Sequence, residues 1–259
     1  MICRLSEHID ELDSMRKYPD ELYYIGKTNL LKRPKVSIVG TRRPLHYTKH
    51  FTQTLAKALA SRGVCIVSGA AMGVDTAAHI GAGMSNTIAV VANSLDIRYP
   101  ATNRRMIESI EQQGLIISQF APTFRATPWS FVVRNEIVVA LGDVLVVTEA
   151  DINSGSMRSV EFALKMGKKI FVLPHRLDES LGTNQLLQKG LAEAIYDIEA
   201  FVGRYGVVPK DNRINKDEFF YFCQTQPTLD EAIARFGSRV YEAELEGIIS
   251  VDNGLVQLV

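Results

Sequence analysis

Residues 36–69 read VSIVGTRRPLHYTKHFTQTLAKALASRGVCIVSG. A β-branched apolar run (36–39), a stretch with helix-period apolar residues (47–62) and a second apolar run (64–67) make one strand–helix–strand unit. The alternation continues outward from there. Further strands are expected at 87–92, 115–119, 144–148 and 169–173, with helices at 74–83, 102–113, 131–142 and 156–167. Gly63, Gly83, Gly114, Gly142 and Gly167 each close a helix just before the next strand, the usual place for a C-terminal glycine. The strands are nearly all apolar, as strands covered on both faces should be. This predicts an α/β fold, a doubly wound and mostly parallel sheet with right-handed crossovers.

A helix at 184–190 and an apolar stretch at 194–202 close this domain, which is expected to span residues 1–203 with a short N-terminal extension, 1–17. Residues 204–215 read as a linker carrying Gly206, Pro209 and several charges. The remainder, 216–259, shows three short helical segments (216–224, 228–236, 238–246) and then Asp252-Asn253-Gly254 between two apolar alternating runs. Asn-Gly in that setting is a strong hairpin cue. Three helices and a hairpin follow the plan of a small C-terminal winged-helix domain.

The chain has 259 residues, 29 Lys plus Arg against 29 Asp plus Glu, and 46% hydrophobic residues. That composition excludes long disorder, and no apolar run reaches the roughly 18–20 residues of a membrane span. Without a signal-peptide core at the N-terminus, a soluble cytoplasmic protein is expected. Cys3, Cys65 and Cys223 are far apart and odd in number, against both a disulfide framework and a zinc cluster. The zero net charge conceals an asymmetry. Between Glu21 and Asp75 lie 53 residues with no acid and nine bases, while residues 211–259 hold nine acids against four bases, leaving +5 on residues 1–210 and −5 on the tail.

Ligands of an open parallel sheet sit beyond the carboxyl ends of its strands. The first strand ends in Gly40-Thr41-Arg42-Arg43, where glycine allows close backbone approach and two guanidiniums offer bidentate phosphate donors. The second ends in Ser68-Gly69-Ala70-Ala71-Met72-Gly73 and opens a helix, an anion-site arrangement that is neither a dinucleotide fingerprint nor a Walker loop. In that helix Asp75 and His79 share a face, which fits a structural pair holding the turn better than acid–base chemistry. Arg104 and Arg105 stand at a helix start, opposing its dipole, and suggest an external anion. Arg125, Trp129, Phe131 and Arg134-Asn135 interleave bases with aromatic rings, as single-stranded nucleic acid requires; Trp129 fits a core plug equally well. Asn153-Ser154-Gly155-Ser156 opens a further helix with the same anion logic. No metal-spaced cluster, G-x-S-x-G elbow or His-paired Cys appears, so no catalytic residue, metal or cofactor is expected.

These junctions resemble the DNA-processing protein A (DprA/Smf) family through Tyr18-Pro19, Ser37-Ile-Val-Gly-Thr-Arg-Arg43, Ser68-Gly-Ala-Ala-Met-Gly-Val-Asp-Thr-Ala-Ala-His79, Tyr99-Pro-Ala-Thr-Asn-Arg104, Phe131-Val-Val-Arg-Asn135, Ser154-Gly-Ser156 and Gly182-Thr-Asn184. The resemblance implies an extended Rossmann-like domain that binds single-stranded DNA, forms homodimers and loads the RecA recombinase during natural transformation. It carries a phosphate-binding role to Gly40, Thr41, Arg42, Arg43, Ser68, Gly69 and Gly73, and a DNA-facing role to Arg104, Phe131, Arg134, Asn135, Gly155 and Ser156. Two departures stand out: Glu136 replaces a base of the family's Arg-Asn-Arg and sets an acid beside the expected groove, and only about 17 residues precede Tyr18-Pro19, fewer than the helical domain many members carry there. A −5 tail is a poor phosphate reader, so it is expected to contact protein or mask the groove. The alternative reading is a nucleotide-processing enzyme of the phosphoribohydrolase-like Rossmann type, with Glu161 as a weak catalytic candidate.

Overall fold

A computed structural model of the chain describes residues 1–207, 218–245 and 248–258. The expected linker at 204–215 falls largely outside these residues, as do the first two residues of the expected helix at 216–224, the last of that at 238–246 and Val259.

The period-two pattern of the apolar runs decides the layering. Along β3 (Lys35–Val39) Val36 and Ile38 face one cluster of buried side chains while Val39 faces another. The alternation holds through β4 (Cys65–Gly69), β5 (Thr87–Val90), β6 (Leu115–Ser118), β7 (Val144–Val147) and β8 (Ile170–Val172), all buried along their length. One face of the sheet is covered by α1 (His46–Ser61), α2 (Val74–Ala82), α3 (Arg104–Gln113) and α7 (Ile198–Val202). The other is covered by α4 (Pro128–Leu141), α5 (Gly155–Lys165) and α6 (Leu181–Gln188).

Three strands escaped the sequence reading. β1 (Cys3–Arg4) and β2 (Tyr23–Gly26) add antiparallel beside β6, and β9 (Glu193–Ala194) adds parallel beside β8. The nine-stranded order is β1-β2-β6-β5-β4-β3-β7-β8-β9. Connections run outward from β3 through β4, β5 and β6, then return to β7 on its other side, so the order reverses between β3 and β7. At the opposite, amino-terminal edge Lys35 is buried, with Nζ 2.6 Å from Glu11 Oε1 and donating to the Leu31 and Arg33 carbonyls. Lys168 donates to the Ala140 and Gly142 carbonyls and so closes the end of α4.

The chain divides into two compact units, Met1–Pro209 and Lys210–Val259. The described part of the second holds α8 (Glu218–Cys223), α9 (Leu229–Phe236), α10 (Arg239–Leu245) and a hairpin of β10 (Ile249–Asp252) with β11 (Leu255–Leu258). Its turn is Asn253 (φ 50°) and Gly254 (φ 80°), the paired left-handed residues a tight hairpin needs. Phe219, Cys223, Ala232, Val240, Ala243, Ile249 and Val256 form its own core.

Candidate nucleic-acid interface

A cavity of about 710 Å³ opens where the strand order reverses, the place an open α/β sheet offers a ligand. Gly40, Thr41 and Arg42 beyond β3, Gly69 at the end of β4 with Ala71 beyond it, and Ser154, Gly155 and Ser156 at the start of α5 supply its walls. Phe131, Arg134, Asn135 and Val138 of α4 supply another side.

The first wall is held by backbone. Thr41 N donates to Glu149 O (2.9 Å), and Val74 N donates to Thr41 O (3.1 Å). That approach demands glycine at 73, where φ is +84° and a Cβ would stand 2.4 Å from Thr41 O. The loop thus anchored leaves Arg42 and Arg43 exposed. Arg42 lies over the Phe131 ring, Cζ 5.1 Å from its centroid. Among the described residues no carboxylate lies within 4.0 Å of either guanidinium.

Arg134 has a different position from the one its sequence suggests. Its side chain is buried; Nη1 donates to Val90 O (2.9 Å) and stands 3.9 Å from Asp75 Oδ2. The guanidinium crosses directly over Gly69, where a Cβ would fall 1.6 Å from Nη1. Its Nε has no partner, and its Cζ is 5.9 Å from the Phe131 centroid. Burial pushes the Asp75 carboxyl upward against the pull of Arg134, and lowers Arg134 against the pull of Asp75. Arg134, with Asp75 beside it in the cavity lining, therefore forms a fixed floor and braces Phe131, rather than reaching outward as a mobile clamp.

Asp75 and His79 do not serve each other. Asp75 accepts from Ala71 N (3.3 Å), whereas His79 Nδ1 meets Thr87 Oγ1 at 2.6 Å. Thr87 donates its own proton to Ile66 O, so Nδ1 carries the imidazole proton. Burial pushes His79 down to about 4 and keeps it neutral. Ser68, expected at the phosphate loop, donates to Ile38 O (2.7 Å) beneath the surface.

At the α5 wall the Ser154 and Ser159 hydroxyl oxygens are shielded from solvent, line the cavity and lack partners. Asn135 Nδ2 donates to Gly155 O (3.4 Å). Shielded, unpaired donors beside an exposed guanidinium and an aromatic ring suit an incoming anion carrying a planar group.

Other expected residues lie elsewhere. Arg104 bonds Glu108 one turn on (2.9 Å), which answers its charge within α3, and it does not line the cavity. Its neighbour Asn103 is buried and donates to Ala70 O (2.9 Å). Trp129 is 61% exposed, its ring 5.9 Å from Phe120, so it plugs no core. Glu136 accepts from Arg16 N (2.9 Å) on the N-terminal segment instead of placing an acid beside the cavity. Glu161 is gripped by Arg158 at 3.0 Å and lies outside the lining. His8, Asp10 and Asp13, widely spaced in chemistry yet close in sequence, come together at the surface. The sequence reading passed over Arg158 and Ser159, although they stand one helical turn beyond Ser154 and Gly155, a spacing that places them on the same wall. Tyr99, noted only within a motif, lines the cavity 6.2 Å from the Phe131 ring.

A doubly wound sheet with a cation- and aromatic-lined cavity at its switch point defines a Rossmann-like class of protein. Within that class the family model for DNA recombination-mediator protein A matches residues 3–206, and the chain belongs to this family. It is 34% identical over 199 residues to Protein Smf of Synechocystis sp., covering 74% of this chain and 50% of that one. It is likewise 34% identical over 184 residues to DNA processing protein DprA of Streptococcus pneumoniae, covering 70% and 65%. The chain thus spans about half to two thirds of the length of these curated relatives. Among solved structures, DNA processing protein A from Helicobacter pylori, described for its single-stranded DNA binding mode, superimposes with a TM-score of 0.77 at 45% identity, covering 78% of this chain and 94% of that one. The S. pneumoniae protein follows with a TM-score of 0.73 at 30% identity, covering 79% and 74%. Among the described residues no helix is long and apolar enough to cross a membrane.

Proposed function

We propose that this chain is a single-stranded DNA-binding recombination mediator whose binding site is the cavity at the β3/β7 switch point. The observation that carries the reading is Arg42, exposed, free of carboxylates among the described residues, and laid over Phe131 at the cavity wall. A guanidinium beside an aromatic face matches one nucleotide, with a phosphate for the cation and a base for the ring. Phosphates sit on Gly40, Thr41, Arg42 and Arg43 and at Gly155 and Ser156; Arg134 holds the floor. A cavity of this kind favours a strand whose bases are already unstacked over a closed duplex. Family membership supports a role in DNA processing during transformation; action as a homodimer and delivery of the strand to the RecA recombinase are part of the proposed reading. The chemistry is binding, and no residue here is assigned to catalysis.

A fluorescence titration with a single-stranded oligonucleotide, its duplex and a salt series tests this. Arg42→Ala and Arg43→Ala should each weaken single-strand binding and flatten its salt dependence by about 0.7 in log–log slope per lost phosphate contact. Unchanged binding in both folded variants would remove the central assignment.

A further inference from the structure

We infer that the exposed face of α1 is a second, outer track for DNA phosphates, which begins at Arg42 and Arg43 and guides the single strand out of the cavity. The inference rests on the proposed reading of the cavity and extends it to a surface that the cavity does not include. At about 100° per residue, His46, His50 and Lys57 fall within about 40° of one another on the helix, with Lys49 about 60° to one side. All four side chains are exposed, while Thr48, Thr52, Leu55, Ala56 and Leu59 turn inward. From His46 to Lys57 the ridge runs about 16 Å.

Three observations separate this ridge from an ordinary solvated helix face. First, several surface cations near the cavity are answered, Arg98 by Glu111, Arg104 by Glu108 and Arg158 by Glu161, whereas Arg105 and Arg125, like the ridge, have no carboxylate within 4.0 Å among the described residues. Among the described residues, Arg42, Arg43, Lys49 and Lys57 have no carboxylate within 4.0 Å. Second, soluble surfaces ordinarily intersperse both signs, yet α1 contains no acid and belongs to the acid-free stretch between Glu21 and Asp75. The ridge ends before Arg62, which Glu199 pairs. Third, Arg42, Arg43 and Lys49 crowd the amino end of α1, where cations oppose the helix dipole. The Glu149 carboxylate, which accepts from Leu45 N (3.0 Å), answers part of this charge, and a DNA phosphate would answer the rest. Because α1 starts from the loop that walls the cavity and runs back along the sheet, its charges continue the path instead of forming a separate patch.

The test uses the full chain and two oligothymidylates, one of about three nucleotides, short enough to stay in the cavity, and one of about thirty that can also reach the ridge. Lys49→Gln combined with Lys57→Gln should weaken the long oligonucleotide roughly ten-fold and make its salt slope shallower by about 1.4, while leaving the short one unchanged. Unaltered binding of the long strand overturns the track. Equal losses on both lengths overturn it too, since the lysines would then act as a diffuse field on the cavity. A loss confined to duplex DNA assigns the ridge to another partner and equally sinks the idea. Arg42→Ala separates the two readings, because it should weaken both lengths; if it weakens neither, the cavity assignment fails by itself. Both lysines are exposed, and a melting curve matched to the unsubstituted protein confirms that the double variant is folded.

Discussion

Gly69 lacks a side chain because Arg134 occupies the space one would need. A Cβ there would meet Nη1 at 1.6 Å and Asp75 Oδ2 at 2.5 Å. Gly69→Ala should therefore cost about 1–3 kcal/mol, the range for overpacking a filled interior, and weaken single-strand binding by displacing the guanidinium that braces Phe131. Urea unfolding together with an oligonucleotide titration checks both effects. His79 makes the opposite kind of statement, since its buried neutral imidazole lies at about 4 against 6.5 when exposed. Between those values the unfolded chain binds a proton that the native one refuses, so stability is full above about 6.5 and is lost as pH falls toward 4. From pH 7 to pH 5 this group alone should remove about 2 kcal/mol. His79→Gln should unfold with correspondingly less dependence on pH across that window; an identical profile would show that His79 is not buried neutral.

At the scale of elements, α4 presents both Phe131 and Arg134, so its first turn sets their aim. Thr127 accepts from Ser130 N (3.3 Å) while Ser130 Oγ accepts from Thr127 N (2.9 Å), a reciprocal cap, and Pro128 follows at the first helical position. Removing the Thr127 hydroxyl with Thr127→Val should cost about 1 kcal/mol, and it should lower affinity for DNA more than thermal stability implies, because the cap lies within the cavity lining. Parallel melting and binding measurements separate the two. The second unit has a similar cap in Thr228 and Glu231 on α9, but the cations among its described residues are otherwise engaged: Arg235 pairs Glu218 and lies over Phe222, and Arg239 lies over Phe219. For a unit proposed to be a winged helix, this distribution of charge is poorly suited to reading a DNA groove.

Over the whole molecule the zero net charge is the sum of two unlike parts. Removing residues 210–259, which carry nine acids against five bases, deletes a net charge of −4 and leaves the unit that carries the cavity. The truncated chain should bind single-stranded DNA as tightly as the full one, or more tightly at low salt where an acidic neighbour is least screened. A large loss of affinity in a titration of the truncated chain would return a direct DNA role to the tail.

The layered core was legible in the sequence because strand and helix periodicities are local. Apolar runs such as 64–67 and 144–148, glycines closing helices, and Asn253-Gly254 between two apolar runs each carry their structural meaning in a few adjacent residues. The carboxyl-end loops could be named for the same reason, since their order along the chain determines which end of a parallel sheet they occupy. Tertiary structure alone decided the rest. β1, β2 and β9 are two to four residues long and exist through pairing, β1 on β2, β2 on β6 and β9 on β8, a non-local hydrogen-bonding condition with little periodic signature. Arg134 and Glu136 are two residues apart on one helix, so they project in different directions; only the packing of α4 shows that one enters the cavity floor and the other reaches the N-terminal segment. Sequence determined that cations and rings would gather at the strand ends. Burial and long-range contact determined which cation is spent on the fold and which is left for an anion.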